Sequence, residues 1–183
     1  MVVDGPWRMP WLRCDTGAVW LDLLSTLSSA YGPAPVERLV DVAALTWWLD
    51  TETLLPRRPP TDRDLVDARA LRGALRAFGL AAVRDDSIRP GDLAVLNEHL
   101  AADRPLTWPV RPPATTGEAL ARVARQAVET VAGERRGELH QCADAECGLL
   151  FLDAGGRRRW CAAEVCGVRN RVRSYRERTR ARQ

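Results

Sequence analysis

The chain has 183 residues, enough for one ordinary domain with a small appended module. Hydrophobic residues make up 46% and charged residues 28%, which excludes a disordered chain, and no apolar run approaches the roughly 20 residues of a membrane-spanning helix. The formal charge of +3 is unevenly placed: residues 1–133 carry 15 arginines against 17 acidic residues, whereas residues 134–183 carry 12 against 7. This positive C-terminal end favours an anionic partner.

The first 133 residues have the apolar periodicity of an all-α bundle. A first helix is predicted over Gly17–Tyr31, because apolar residues share one face there and Gly32-Pro33 follows. A second helix is predicted over Val36–Leu54, either continuous or interrupted near Asp41. Prolines follow it.

A long third helix is predicted from a capping box at Thr61-x-x-Asp64 to about Arg84. Its apolar residues recur at steps of three and four, as expected for a helix with one buried face. Three arginines lie on a different face and predict a solvated surface: Arg69, Arg72 and Arg76.

Two further helices complete the predicted bundle. Pro90–Ala102 is the first, and the proline-rich connector Pro105–Pro113 follows it. Thr116–Ala132 has the most regular amphipathic pattern of the chain, with Gly133 placed to end it. The predicted division is therefore a helical domain over 1–135 and a second module over 138–183.

Four cysteines in the second module have the spacing of a zinc site: Cys142, Cys147, Cys161 and Cys166. They form two C-x4-C pairs separated by thirteen residues, and each pair can span one edge of a tetrahedron. Four thiolates leave no open position for a substrate water, so we expect one structural Zn²⁺ rather than a catalytic one. Disulfides are the competing interpretation, but no secretory signal pattern opens the chain, and we expect a cytoplasmic protein with reduced thiols.

The insert between the two cysteine pairs predicts a β-hairpin. Leu149–Leu152 forms an apolar extended run, Ala154–Gly156 a turn, and Arg157–Trp160 a second short run. A helix is then predicted from Gly167 to about Arg180. The fold class is therefore mainly α, with a small treble-clef-like four-cysteine finger made of a β-hairpin and a helix.

The C-terminal helix has a narrow apolar seam and rows of arginines. Val168, Val172 and Tyr175 are predicted to pack on the hairpin, which would turn the arginines outward. Arginine contacts DNA phosphates and also bonds guanine bidentately. The predicted nucleic-acid-binding residues are Arg169, Arg171, Arg173, Arg176 and Arg180.

The second module resembles the CGNR-type zinc finger. The resemblance rests on the cysteine pairs, on Cys147-Gly-x2-Phe151-x-Asp153, on Arg159-Trp160-Cys161 and on Cys166-Gly167-x-Arg169 before an arginine-rich helix. At the position of the family's name-giving asparagine this chain has Val168, a change that bears on sequence preference rather than on metal binding.

The helical part is similar to the ABATE domain, which that family joins to its finger. Leu21–Leu27 resembles the family's L-D-F-V-N-T-V motif, with Ser25 in place of its asparagine, and Ala68–Arg76 resembles its A-R-x-L-R-x-A-L-R helix. Leu96-Asn97 is similar to a later L-N pair. The resemblance implies a bacterial stress-responsive transcription regulator, and the candidate ligand or domain-motif residues are Asp22, Ser25 and Thr26.

The leading hypothesis is a DNA-binding transcriptional regulator whose helical domain senses a signal or mediates dimerisation. A small effector would lie among Trp20, Trp47 and Trp48, although aromatic residues at helical spacing are more often core. The alternative is a zinc-stapled protein-interaction module without direct DNA binding, and RNA binding is a variant of the first hypothesis. We expect no enzymatic activity, because the chain has two histidines, no nucleophile motif and no glycine-rich phosphate loop.

Overall fold

The computed structural model describes residues 16–105 and 110–180. The fifth cysteine of the chain, Cys14, which is expected to be an ordinary half-buried thiol apart from the zinc site, lies outside the described residues. Within these ranges the chain forms six α-helices and two two-stranded antiparallel sheets. The helices are α1 (Val19–Ser25), α2 (Val42–Thr51), α3 (Asp62–Arg84), α4 (Pro90–Ala101), α5 (Thr116–Ala132) and α6 (Val168–Arg180). The strands are β1 (Leu27–Ser28), β2 (Val36–Glu37), β3 (Leu139–Gln141) and β4 (Leu150–Leu152).

The first predicted helix is too long, since α1 ends at Ser25. The hydroxyls of Ser25 and Thr26 donate to backbone carbonyls three residues earlier, at 2.7 and 2.6 Å, and the chain then enters β1. The amides of Ala30 and Tyr31 donate to the carbonyls of Cys147 and Glu146, at 3.3 and 3.0 Å. These long-range bonds replace the helical ones that periodicity predicted.

The second predicted helix is also shorter than expected, because its first residues form strand β2. Asp41 marks the break and is the N-cap of α2, where its carboxylate accepts from the amide of Ala44 at 2.7 Å. The capping box at Thr61 and Asp64 is confirmed, with both reciprocal bonds present at the start of α3. Helices α3, α4 and α5 lie where the periodicity predicts them.

The hairpin of the C-terminal module pairs differently from the prediction. Strand β4 pairs antiparallel with β3, which precedes the first cysteine, so Cys142 and Cys147 lie in the connection of the hairpin. Residues 157–160, all within the described range, form no strand. The carboxylate of Asp153 accepts the amides of Arg157 and Arg158 at 2.7 and 2.8 Å, so these amides are not offered to a partner strand.

One hydrophobic core runs through both parts of the chain. Trp20 and Trp48 are fully buried in it together with Leu150 and Phe151 of β4. An added Cβ at Gly79 of α3 would lie 2.4 Å from Cδ1 of Leu150 and 3.0 Å from the ring of Trp20. The finger's hairpin is therefore packed on the helical bundle, while the division at residues 135–138 stays a prediction.

Candidate metal centre and arginine helix

The four predicted ligands converge at one point. The sulfurs of Cys142, Cys147, Cys161 and Cys166 all lie within 4.8 Å of one another, and all four side chains are buried. The sulfur of Cys161 lies 3.7 Å from that of Cys147 and 3.6 Å from that of Cys166. A tetrahedral zinc with bonds of about 2.3 Å requires sulfur–sulfur edges of about 3.8 Å. The arrangement therefore fits Zn²⁺, and the four cysteines form a zinc-binding site.

The thiols also need a cation for electrostatic reasons. Hydrogen bonds from Cys147, and then from Cys161 and Cys166, lower the pKa of the Cys142 thiol well below its usual value. Hydrogen bonding to Cys142, and then to Cys147 and Cys161, raises the pKa of Cys166. The cluster cannot hold four negative charges by itself, whereas a divalent cation at its centre stabilises all four thiolates.

A buried arginine of α3, Arg76, connects the cysteine hairpin to the helical bundle. Arg76 donates to the carbonyl of Gly148, next to the ligand Cys147, and to that of Leu24, each at 2.8 Å. Burial lowers the pKa of Arg76 below its usual value. The prediction of a solvated arginine stripe is wrong here, because carbonyls left free at the end of α1 and in the hairpin give the guanidinium acceptors.

Arg72 and Arg69 lie on the same face of α3 as Arg76 and bind the segment that contains β1 and β2. Arg72 forms a bidentate ion pair with Glu37 of β2 and donates to the hydroxyl of Thr26 at 2.7 Å. Arg69 donates to the carbonyl of Leu39. The arginine row therefore supports the open end of the β1–β2 hairpin, at Thr26, Glu37 and Leu39.

Gly148 lies where another residue would not fit. Its φ of +62° is in the left-handed region, and an added Cβ would lie 2.2 Å from a ring carbon of Tyr31. The absence of a side chain lets the Tyr31 ring cover the hairpin beside Cys147. The glycine after the second cysteine thus serves the docking of the finger.

The candidate motif residues of α1 have internal partners. One carboxylate oxygen of Asp22 accepts both the amide and the hydroxyl of Thr16, at 3.0 and 2.7 Å, and the carbonyl of Thr16 accepts the amide of Leu152. Ser25 lines a cleft of about 70 Å³ beside Cys147 and Cys161. These contacts give Asp22, Ser25 and Thr26 structural roles, and a ligand role for them stays a prediction.

An acid inside the first cysteine pair fixes the start of α6. Asp144 is buried and accepts from Arg169 at 3.0 Å and from Arg173 at 3.5 Å. Arg173 also pairs with Glu146 at 2.9 Å. Two of the predicted DNA-binding arginines are therefore engaged with the finger itself.

The other side of α6 faces away from the finger. The prediction that Val168, Val172 and Tyr175 pack on the hairpin is wrong: 41, 43 and 65% of their respective surfaces remain exposed. The helix has no buried residue. Four of its arginines have no ion pair or hydrogen-bond acceptor within the described residues: Arg171, Arg176, Arg178 and Arg180.

Three other polar and aromatic side chains surround the metal centre. The ring of Trp160 lies against Gly167 at the start of α6, where an added Cβ would be 3.4 Å away. Asn170 donates to the carbonyl of Cys166 at 3.0 Å and so secures the first turn of α6. His140 lies on β3 against the ring of Phe151, outside the four-cysteine cluster.

Sequence reasoning missed Asp144, Glu37 and the buried roles of Arg72 and Arg76. Asp144 had a readable signal, because it is an acid inside a C-x4-C loop that precedes a helix with arginines at steps of three and four. The partners of Arg72 and Arg76 are 35 and 72 residues away in the chain, and no local pattern indicates them.

Comparison with known families agrees with this geometry. The ABATE family, described as a putative stress-induced transcription regulator, matches residues 17–134, and the CGNR zinc finger matches residues 138–179. These are regulatory and zinc-finger types rather than enzyme families. No curated protein and no solved structure gave a match. No helix within the described ranges is long and apolar enough to cross a membrane. The chain therefore belongs to the ABATE family and carries a C-terminal CGNR zinc finger.

Proposed function

We propose that this protein is a DNA-binding transcriptional regulator in which the zinc finger presents α6 to duplex DNA. The observation that carries the proposal is the exposure of α6, which has six arginines, one acidic residue and no buried side chain. A helix with this charge repels itself unless an anionic partner or solvent screens it. Duplex DNA offers such a partner, with one phosphate charge per about 1.7 Å of its axis.

The contacts of Asp144 support a division of labour among the predicted DNA-binding arginines. Arg169 and Arg173 are about one-third exposed and fix the direction of the helix by their ion pairs. Arg171, Arg176, Arg178 and Arg180 are then the phosphate-binding candidates. Asp144 and Glu146 fix the start of α6 relative to the hairpin that packs on the helical bundle.

The helical domain is the proposed regulatory part, either as a sensor of a small effector or as a dimerisation surface. Arg76 and the β1–β2 turn connect it to the zinc hairpin, so a signal that moves α1 or this turn would move the finger. Trp20 and Trp48 are fully buried, and the indole of Trp20 donates to the hydroxyl of Thr130 at 3.2 Å. These two tryptophans thus have the core role, which leaves the effector site unassigned.

Fluorescence polarisation of a labelled duplex at rising salt tests the proposal. Four phosphate contacts predict a slope of log affinity against log salt of about −3.6, whereas engagement of five or six would give about −5. Arg176→Gln should reduce the slope by about 0.9, and the matched control Arg63→Gln, an exposed arginine on α3, should leave it unchanged.

Two results would contradict DNA binding. The first is a flat salt dependence, and the second is no binding of any duplex by zinc-loaded protein. Capture of one acidic protein partner without nucleic acid would instead favour the protein-interaction alternative. Single-stranded RNA that outcompetes duplex DNA would assign the same helix to RNA.

A further inference from the structure

The outward face of α6 combines an exposed apolar seam with flanking arginines. At about 100° per residue, Val168, Val172 and Tyr175 lie within about 60° of one another around the helix. None of them is buried by any part of the chain that the structure describes. The seam is defined here by these three residues.

The finger contacts α6 on a side that leaves the seam exposed. Gly167 lies against Trp160, Asn170 bonds to the carbonyl of Cys166, and Arg173 pairs with Asp144 and Glu146. At about 100° per residue these three positions lie about 100–160° around the helix from Val172, whereas Arg169, which pairs with Asp144, lies about 60° from it. The contacts therefore fix the direction of α6 and leave the seam exposed beside the docked side of the helix.

Arginines border the seam on both sides. Arg171 and Arg178 lie along one edge, and Arg169, Arg176 and Arg180 lie along the other. The second edge opens into a surface groove of about 470 Å³ that Val172 also lines, together with two carboxylates, Glu146 and Glu177. A second copy of this face would bring arginine edges against arginine edges, so the charge pattern favours an anionic partner with an apolar centre.

The DNA major groove has this combination of properties. It is about 12 Å wide and admits one α-helix, its floor presents the methyl group of thymine, and phosphates line both of its edges. A helix of 13 residues is about 20 Å long, enough to follow the groove over several base pairs. An apolar seam between two arginine edges is therefore complementary to thymine methyl groups between two phosphate rows.

We propose, on the basis of the function proposed above, that α6 lies in the major groove with the seam toward the bases and that Val172 contacts thymine methyl groups. Arg171 and Arg178 on one edge, and Arg176 and Arg180 on the other, then bind the two phosphate strands. Sequence preference resides in the seam, which selects sites with A·T pairs, and affinity resides in the arginines.

Replacement of thymine by uracil in the DNA tests this assignment, since it removes the contacted methyl group and keeps all phosphates. The probe is the duplex that the wild-type protein selects from a random library. Wild-type protein should lose about fourfold in affinity for each contacted methyl group, the factor that burial of one such group implies. Val172→Ala should bind thymine and uracil duplexes equally, with the salt slope of the wild type.

The matched control is Val66→Ala, which shortens another exposed valine, on α3, and should keep the full discrimination. Full thymine–uracil discrimination in Val172→Ala would overturn the proposal while DNA binding itself stands. A wild-type dimer that Val172→Ala dissociates, without thymine discrimination, would assign the seam to contacts between copies. Failure of the wild type to bind any duplex would remove both proposals.

Discussion

Helices α3 and α6 both carry arginines at steps of three and four, and the protein uses the two rows in opposite ways. On α3, Arg72 and Arg76 are buried and donate to groups of distant segments. On α6, only Arg169 and Arg173, the members of the row nearest the finger, find acceptors among the described residues, at Asp144 and Glu146. The remaining arginines of α6 extend into solvent.

The difference lies in what surrounds each helix rather than in the helix itself. The α3 row meets carbonyls at the end of α1 and in the cysteine hairpin, together with the carboxylate of Glu37. Buried guanidinium groups require such acceptors, because an unpaired buried charge costs several kcal/mol. The α6 row meets carboxylates of the finger near its start, at Asp144 and Glu146, and Glu177 is the one acidic residue of the helix itself. An arginine stripe therefore predicts either an internal anchor or a binding surface, and only the acceptors around it decide which.

Removal of zinc is the largest perturbation, since it breaks the finger that holds α6 and that Arg76 of α3 contacts. A structural zinc contributes about 10–16 kcal/mol apparent in small finger peptides, and here the hairpin also fills part of the shared core. Chelated protein should therefore lose α6 docking and unfold at a lower temperature as a whole. Metal analysis and thermal unfolding of Cys161→Ser, with Cys14→Ser as the control, measure this; an unchanged unfolding temperature without zinc would contradict it.

Loss of the Arg76 guanidinium should be the largest effect within the α3 row. Arg76→Met leaves the carbonyls of Gly148 and Leu24 buried without these donors, at a cost of about 3 kcal/mol. The control Arg63→Met, on the exposed side of the same helix, should change stability by less than about 0.5 kcal/mol. Urea unfolding of both variants measures the difference, and equal losses would show that Arg76 is not an anchor.

On α6, Asp144→Asn removes the charge that orients the helix. Arg169 and Arg173 would lose their buried partner, and we expect a loss of about 2 kcal/mol in the stability of the finger. The affinity for duplex DNA should also fall, because α6 no longer has one fixed direction. The matched control is Glu146→Gln, whose partly exposed carboxylate pairs with Arg173 and should cost less than about 1 kcal/mol. A stable variant with unchanged zinc content and unchanged DNA affinity would argue against a positioning role.

The sequence predicted the parts of this comparison that depend on local signals. The spacing of Cys142 to Cys166 gave the metal site, the capping box at Thr61 gave the start of α3, and the periodicity of Thr116–Ala132 gave α5 at its observed bounds. Short-range chemistry decides these features, so a single sequence contains them.

The wrong predictions all concern segments whose structure depends on contacts with residues far away in the sequence. Residues 30–31 bond to the cysteine hairpin instead of continuing α1, and β4 pairs with β3 across the first cysteine pair instead of with residues 157–160. Likewise, the seam of α6 resembles an ordinary core-facing stripe. Its exposure depends on Asp144, which holds the helix through Arg169 and Arg173.

The smallest expected effect is a pH dependence at Glu37, the acid that pairs with Arg72. Burial raises its pKa, but the hydrogen bonds and charge of Arg72 outweigh burial and place the pKa below its usual 4.5. Since the folded pKa is depressed, the pair stabilises the protein above pH 4.5 and the contribution is lost as pH falls through the folded value. Solvent screening of this partly exposed side chain keeps the contribution below about 1 kcal/mol.

Urea unfolding of the wild type and of Glu37→Gln at pH 7 and at stepwise lower pH isolates this contribution, with zinc content followed in parallel. The wild type should be the more stable at pH 7, and the difference should shrink below pH 4.5. Glu98→Gln, a substitution at an exposed acid of α4, is the control, and its difference from the wild type in free energy of unfolding should not shrink in this way. A difference that grows on acidification would mean that Arg72 does not depend on Glu37, and that the α3 row is held by its carbonyl and hydroxyl acceptors alone.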